Sequence, residues 1–465
     1  MPSLSVNSKR GLVILLVAVA TIASATITWK VGRDHDQSRE ADRMRSLGFG
    51  VRPTPLWTLD VKRLTDEPGA VLLSAPETLD QTYGFGSVMD SPTHIIAAVA
   101  RPEQPDLSTG PKVGDVTLVG IDRQNGSVDW RSPVGRVDHC TDRVAATVVG
   151  CWTDRRIAFV DTSNGRVLRT EETDFSISYV DIIDGTAFVD GLKDAGKRRT
   201  LIFTAAPVGS SVERFRRTIE VRGTDARVAE IRPSSNAFTV SDTVGGVPQY
   251  INTAYDLDSG AARFSADGDL RFVGNGMFLA DSFARRTKFL LRGDGSRVTT
   301  LPGAATNAFA SPITTDASFV PTIVGTAVHD PDTGARLWSD PVLEWNTSPQ
   351  STTRAVVGSV LVVASPVERA LVGLEVRTGR RLWTTPWPNA YFVSDTATDG
   401  THLIVGDNTG MHSVRVSDGR VLWNVRLPTV ESTPPGISGT GDGDILVNGL
   451  RGNISVWRAR KEPVS

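Results

Sequence analysis

The stretch Val376–Trp383 reads Val-Arg-Thr-Gly-Arg-Arg-Leu-Trp, and a short apolar run, Leu371–Leu374, leads into it. A near copy, Val-Ser-Asp-Gly-Arg-Val-Leu-Trp, follows at Val416–Trp423, and a third copy ends the segment Asp330–Trp338. Each copy predicts a strand, a tight turn with glycine at a position of positive φ, and a second strand that opens on an aromatic residue. A strand–turn–strand unit that recurs about every 40 residues indicates a β-propeller or a β-solenoid.

The pattern extends over residues 56–458, and its two ends complement each other. Leu56–Val61 resembles the second strand of the motif without its first strand, whereas the last strands, near Trp457, have no aromatic-led strand after them. This arrangement predicts a propeller in which the N-terminal strand completes the last blade, so that no free sheet edge remains. The expected repeat positions are Trp57, Gly126, Trp130, Gly165, Gly260, Gly334, Trp338, Gly379, Trp383, Gly419 and Trp423.

Two further copies are weak: Gly209, whose copy ends at Phe215, and Gly295. Together with the closing blade they raise the candidate blades to nine, and we expect about eight blades of four strands, within a range of seven to nine. The predicted fold class is therefore all-β, a propeller over residues 56–458 followed by a short tail at residues 459–465.

Composition agrees with this fold and argues against one class of partner. The 465 residues include 50 basic and 52 acidic side chains, for a net charge of −2, and neither end is strongly basic. A nucleic-acid partner is therefore not expected, because binding the phosphate backbone requires a basic surface.

The N-terminal region predicts attachment to a membrane or export. Residues 1–10 are polar and form the expected cytoplasmic tail, and residues 11–29 are apolar and uncharged, long enough to span a bilayer as a helix. The alternative is a cleaved signal peptide, because Ala23–Ala25 fits a signal-peptidase site, and a mature chain that starts at Thr26 would show cleavage. A third interpretation is a buried core helix. Residues 30–55 are interpreted as a tether, and both leading interpretations place the propeller on the extracytoplasmic side.

The repeated Asp-x-x-Thr/Asn/Asp-Gly-x-x-x-Trp pattern resembles the PQQ-like β-propeller repeat of the quinoprotein alcohol dehydrogenases. The resemblance implies that each tryptophan packs between neighbouring blades and that each turn glycine lies on one rim of the ring. Quinone-binding members carry adjacent cysteines over the cofactor and a Glu/Asn/Asp calcium cage, and this chain has no adjacent cysteines. It is therefore expected to be similar to the cofactor-free branch, which includes the propeller scaffold of the outer-membrane β-barrel assembly machinery. That scaffold is lipidated on a cysteine which this chain lacks.

Other candidate chemistry has simpler explanations. Cys140 and Cys151 flank a predicted bend and are expected to form a structural disulfide, with two free thiols or redox or metal chemistry as the alternatives. His402 and His412 could meet across a hairpin, although two ligands make a poor zinc site. The aspartates beside the turn glycines are typical of Asx turns and lack the spacing of a calcium loop.

No catalytic, cofactor-binding or metal-binding residue is predicted, and no cofactor is expected. The favoured hypothesis is a non-catalytic scaffold of the cell envelope that binds another envelope protein through its rim or loops. The alternative is a quinone- or sugar-binding protein or enzyme that uses the central channel. A stalk-mounted sensor would need a cytoplasmic signalling domain.

Overall fold

In a computed structural model, the described residues of the chain form nine consecutive β-sheets. Eight sheets have four strands and one has five, and we number them as blades 1 to 9. The described residues are 48–66, 70–72, 88–102, 113–141, 144–195, 198–221, 226–232, 235–244, 249–273, 276–282, 287–301, 305–307, 319, 321–343, 354–390, 396–427, 436–440, 443–448 and 453–458.

Strand β1 (Thr54–Asp60) and a 3-10 turn (Val61–Arg63) precede blade 1. The strands of blades 1 to 3 are, in chain order, β2 (Val71–Leu72), β3 (Met89–Asp90), β4 (His94–Pro102), β5 (Val113–Asp122), β6 (Val128–Arg136), β7 (His139–Cys140), β8 (Val148–Trp152), β9 (Arg156–Asp161), β10 (Val167–Glu172), β11 (Ser176–Ile183), β12 (Thr186–Ala195), β13 (Arg198–Pro207) and β14 (Phe215–Val221).

The strands of blades 4 to 6 are β15 (Arg227–Arg232), β16 (Ala237–Val244), β17 (Gln249–Asp256), β18 (Ala262–Asp267), β19 (Asp269–Val273), β20 (Met277–Ser282), β21 (Thr287–Leu291), β22 (Arg297–Leu301), β23 (Ala305–Asn307), β24 (Thr322–Val324), β25 (Ala327–His329) and β26 (Arg336–Ser339). A second 3-10 turn (Pro341–Leu343) follows. The strands of blades 7 to 9 are β27 (Arg354–Val357), β28 (Val360–Ser365), β29 (Ala370–Glu375), β30 (Arg381–Pro386), β31 (Thr396–Thr398), β32 (His402–Asp407), β33 (Gly410–Arg415), β34 (Val421–Arg426), β35 (Gly436–Gly439), β36 (Ile445–Asn448) and β37 (Asn453–Arg458).

The fourth position of blade 9 is occupied by the N-terminal strand. Strand β1 pairs antiparallel with β37, and Thr54 lies opposite Arg458. The first and last strands of the described chain therefore share one sheet, and β1 begins two residues before the boundary predicted at residue 56.

Burial within a blade explains its sequence pattern. In blade 7 the second strand, β28, is buried at every position, and β29 is buried at all but Glu375, because neighbouring blades cover both faces. The sequences of such fully buried strands are continuous apolar runs. The fourth strand, β30, alternates between exposed and more buried residues, and it forms the exposed edge of its blade. The apolar clusters join consecutive blades, as where Val357 and Leu371 of blade 7 pack with Leu403 of blade 8.

The blade number corrects the expectation of eight. Both weak copies correspond to complete sheets: Gly209 precedes the last strand of blade 3, and Gly295 lies in the last turn of blade 5 with φ of +82°. The total in the described residues is therefore nine.

The predicted disulfide is confirmed. Cys140 in β7 lies directly opposite Cys151 in β8, and the two side chains form a disulfide bond. The bond lies within blade 2 and joins its first strand to its second.

The predicted anchor or signal segment, residues 11–29, lies outside the described residues, as do the tail at 1–10, most of the tether and the tail at 459–465. Among the described residues, no helical segment has the length and apolar character that crossing a membrane requires.

Candidate functional site

The repeat tryptophans lie against the turn glycines of the next blade. Trp338, the third residue of strand β26, covers Gly379, and its Nε1 donates a hydrogen bond to the carbonyl oxygen of Val376 at 3.0 Å. Trp383 covers Gly419 in the same way, and its Nε1 donates to the carbonyl oxygen of Val416 at 2.7 Å. A Cβ added at either glycine would overlap the indole ring. The close approach of the indole ring therefore requires glycine at the turn.

The same contact occurs at other junctions. Trp57 covers Gly126 and donates from Nε1 to the carbonyl oxygen of Arg123 at 2.9 Å. Trp130 covers Gly165. The turn glycines of the predicted set, Gly126, Gly165, Gly260, Gly334, Gly379 and Gly419, all have φ between 64° and 74°.

Three blades place a non-aromatic residue at the position of the repeat tryptophan. The third residue of the fourth strand is Arg169 in blade 2, Arg217 in blade 3 and Thr299 in blade 5. Arg217 lies over Gly260, and Thr299 lies over Gly334. The assignment of Phe215 as the aromatic of the Gly209 copy is therefore wrong, because Phe215 stands two residues before that position.

The junction between blades 3 and 4 is instead filled by phenylalanine and tyrosine rings. Phe203 lies 4.3 Å from Phe238 between ring centroids, and Phe238 stacks on Tyr255 at 5.0 Å with an interplanar angle of 11°. Phe215 also contacts Phe203, with centroids 5.4 Å apart. These rings join strands of both blades, so the junction is packed without the tryptophan.

A groove opens beside this aromatic cluster on the exposed edge of blade 3. Its volume is about 180 Å³. The lining residues come from β14, β16 and β17: Ile219, Glu220, Val221, Val240, Asp242, Ile251, Thr253 and Tyr255. Ile251 is 39% exposed at the mouth, and burial raises the pKa of the Tyr255 phenol. We call these eight residues the blade 3–4 groove.

The size of the blade 3–4 groove limits what it can hold. Drug-sized ligands bind in pockets of roughly 300–1,000 Å³, whereas an apolar cavity of about 150 Å³ holds a benzene ring. At about 180 Å³ the groove matches one aromatic or branched aliphatic side chain. Strand β14, which forms one wall, pairs only with β13 among the described strands and so has a second edge with no strand beside it.

A buried carboxyl group lies in the same junction. Asp190 of β12 is 2% exposed, and it accepts a hydrogen bond from the backbone N–H of Val228 in blade 4 at 3.1 Å. Burial raises the pKa of Asp190 to about 7, although that hydrogen bond and the charge of Arg227 act in the opposite direction. Folding therefore moves the titration of the Asp190 carboxyl group into the neutral pH range, and the group is protonated below that range.

We expect Asp190 to make the protein less stable as the pH rises. The pKa of Asp190 is higher in the folded state than in the unfolded chain. The stabilisation that comes from its protonated carboxyl group is therefore complete at acidic pH and is lost as the pH rises through about 7. Between pH 5 and pH 7 the contribution of Asp190 to the free energy of unfolding should fall by about 2 kcal/mol. Urea denaturation at several pH values measures this fall. Asp190→Asn, which is neutral throughout, should lack it; equal slopes for the two proteins would contradict the assignment.

His402 and His412 do not meet across the hairpin. In strands β32 and β33, His402 lies opposite Arg415 and His412 lies opposite Val405. Each ring instead hydrogen-bonds a buried aspartate: His402 Nδ1 lies 2.9 Å from Asp399, and His412 Nε2 lies 3.1 Å from Asp407.

The turn aspartates form Asx-type contacts. Asp330 accepts hydrogen bonds from the backbone N–H groups of Asp332 and Thr333, at 3.0 and 2.8 Å, next to Gly334. Within the described part of the chain, no three His, Cys, Asp or Glu side chains are grouped so that they could hold a metal ion.

One comparison with known proteins, with a family model, finds the predicted repeat. A family model described as "Outer membrane protein assembly factor BamB" matches residues 323–460, which confirms the resemblance to PQQ-like repeats over the last blades. Structures similar to the chain include BamB from Moraxella catarrhalis, at 14% identity over 68% of this chain and 94% of that chain, with a TM-score of 0.38. Quinohemoprotein alcohol dehydrogenase from Comamonas testosteroni is 11% identical over 89% of this chain and 78% of that chain, with a TM-score of 0.43. No curated protein matches the sequence.

Proposed function

We propose that this chain is a non-catalytic scaffold that is tethered to the membrane. Its propeller lies on the extracytoplasmic side and binds another envelope protein. The carrying observation is the blade 3–4 groove, an opening of side-chain size with exposed Ile251 at its mouth and the edge of β14 beside it. The family model that matches residues 323–460 is described as an assembly factor, which supports a binding role. The apolar segment at residues 11–29 supports the tether.

The groove suits an extended partner segment. An added strand can pair with an exposed sheet edge through main-chain hydrogen bonds, while alternate side chains enter pockets that give specificity. Strand β14 offers parts of this arrangement, because Ile219 is half-buried and lines the groove, while the preceding Thr218 is exposed. One apolar side chain of the partner segment would fill the groove, and the backbone of that segment would lie along β14.

Crosslinking followed by pull-down from native membranes tests this function. Ile251→Asp places a charge at the mouth of the groove, and we expect at least a tenfold loss of the captured envelope protein, because a buried charge opposes apolar burial. Val367→Asp is the matched control: Val367 is 70% exposed, lies in the β28–β29 hairpin of blade 7, and should leave capture unchanged. Circular dichroism should show that both variants are folded.

Two outcomes would refute the proposal. In the first, Ile251→Asp captures the same protein as the wild type. In the second, no envelope protein is captured and the purified protein binds a quinone or a sugar, which is the channel-based alternative.

A further inference from the structure

A four-residue segment before β1 is inserted between blades 8 and 9. Gly48–Val51 form a turn in which the N–H of Val51 donates to the carbonyl oxygen of Gly48 at 3.0 Å, and Gly48 has φ of +62°. Phe49, within this turn, is only 1% exposed. We call this segment the N-terminal plug.

Three side chains of blade 8 bind the main chain of Phe49. The Asp399 carboxylate accepts a hydrogen bond from the Phe49 N–H at 3.0 Å. The Phe49 carbonyl oxygen accepts two hydrogen bonds, from Ser413 Oγ at 2.7 Å and from Trp423 Nε1 at 2.8 Å. All three contacts are buried, so both polar backbone groups of this residue are satisfied by the protein.

The plug occupies the place of a turn that blade 9 lacks. At three other tryptophan junctions, Nε1 of Trp57, Trp338 or Trp383 donates to a carbonyl oxygen in the turn between the third and fourth strands of the next blade. Blade 9 has no such turn, because its third strand, β37, and its fourth strand, β1, belong to opposite ends of the chain. Trp423 makes the equivalent bond to Phe49 instead.

The side chains of the plug are matched to this site. The Phe49 ring belongs to an apolar cluster with Met411 and Trp423 of blade 8 and Ile445 of blade 9. At Gly50 an added Cβ would lie 3.0 Å from Nε2 of His402, so a larger residue would have to displace that ring. The site therefore favours a large apolar residue followed by glycine.

We propose that the blade 8–9 junction is a peptide-binding site for a Phe-Gly element, and that the N-terminal plug is its resident ligand. Recognition of both the N–H and the carbonyl oxygen of Phe49, burial of its ring and a preference for glycine at position 50 are features of a peptide site. The plug fastens residues before Gly48 to the propeller independently of the covalent link through β1. This inference does not depend on the proposed scaffold function.

Cutting the link tests the inference in the full-length protein. A protease recognition sequence is inserted between Arg52 and Pro53, and the protein is cleaved after folding, in detergent. We expect the N-terminal fragment to remain bound through size-exclusion chromatography. A labelled peptide of residues 46–53 should compete for the site and displace it.

Three variants of the cleavable protein make the result specific. Phe49→Ala should release the fragment at least 100-fold faster, because it removes the buried ring. Ser413→Ala should release it about tenfold faster, because one buried hydrogen bond is lost. Val51→Ala is the control, since Val51 is 43% exposed in the same segment, and it should not change release. Release of the wild-type fragment as fast as the Phe49→Ala fragment, from a propeller that stays folded, would overturn the proposal; retention of both fragments would overturn it equally.

Discussion

Trp338→Ala is expected to lower the free energy of unfolding by about 3–5 kcal/mol, the usual cost of removing a large buried aromatic side chain. Trp338 is 9% exposed and packs between blades 6 and 7 with Leu343 and Val376. Its removal also leaves the carbonyl oxygen of Val376 without the indole N–H. Urea denaturation followed by circular dichroism measures the loss.

Trp338→Phe separates packing from hydrogen bonding. Phenylalanine keeps most of the apolar contact with Gly379 and loses the Nε1 donor, so we expect a smaller loss of about 1–2 kcal/mol. If Trp338→Ala cost less than about 1 kcal/mol, in the range typical of surface substitutions, the tryptophan would not stabilise this junction.

In the clearest copies of the repeat the turn glycine is followed in sequence by a tryptophan, and this local pattern made the fold predictable. In Val376–Trp383 the glycine and tryptophan are four residues apart, and the same spacing recurs at Gly334 and Gly419. The blade number was harder to predict, because the contact needs only a side chain that covers the glycine. Arg217 and Thr299 do so without an aromatic signature. Thr299 stands four residues after Gly295, which is the spacing of the repeat, whereas Arg217 stands eight residues after Gly209 and carries no such signal.

The N-terminal plug could not be read from local sequence. Phe49 and Asp399 are separated by 350 positions, and no periodicity links them. One indirect signal existed: Trp423 repeats the motif, yet the blade after it has no turn to accept its N–H. The interpretation of residues 30–55 as a tether did not include this contact, although Phe49 lies in that range.

The blade 3–4 groove was also beyond sequence reasoning. Ile219 and Ile251 belong to different blades, and each fits the alternation of an ordinary strand. An opening between them depends on the volumes of neighbouring side chains, which hydrophobic patterns do not record. The only related feature of the sequence is that the last strand of blade 3 contains no tryptophan.

Gly379→Ala is expected to lower the free energy of unfolding by about 2–4 kcal/mol, because two costs add. Alanine at φ of +71° costs about 1 kcal/mol in the left-handed region, and its methyl group overlaps the Trp338 ring, which adds about 1–3 kcal/mol of overpacking. Gly358→Ala is the matched control: its φ is +57°, no atom lies within 4 Å of an added Cβ, and only the backbone cost of about 1 kcal/mol should remain.

A double-mutant cycle shows whether the glycine is required for φ alone or for the tryptophan. In the Trp338→Ala background the overlapping ring is gone, so Gly379→Ala should cost no more than Gly358→Ala. The coupling free energy between positions 338 and 379 should then be at least about 1 kcal/mol, the range found for residues in direct contact. Additive losses, within about 0.5 kcal/mol, would mean that the glycine is required only by its turn. Since the same pair recurs at Trp383 and Gly419, the outcome decides whether the repeat is a turn signal or a joint between blades.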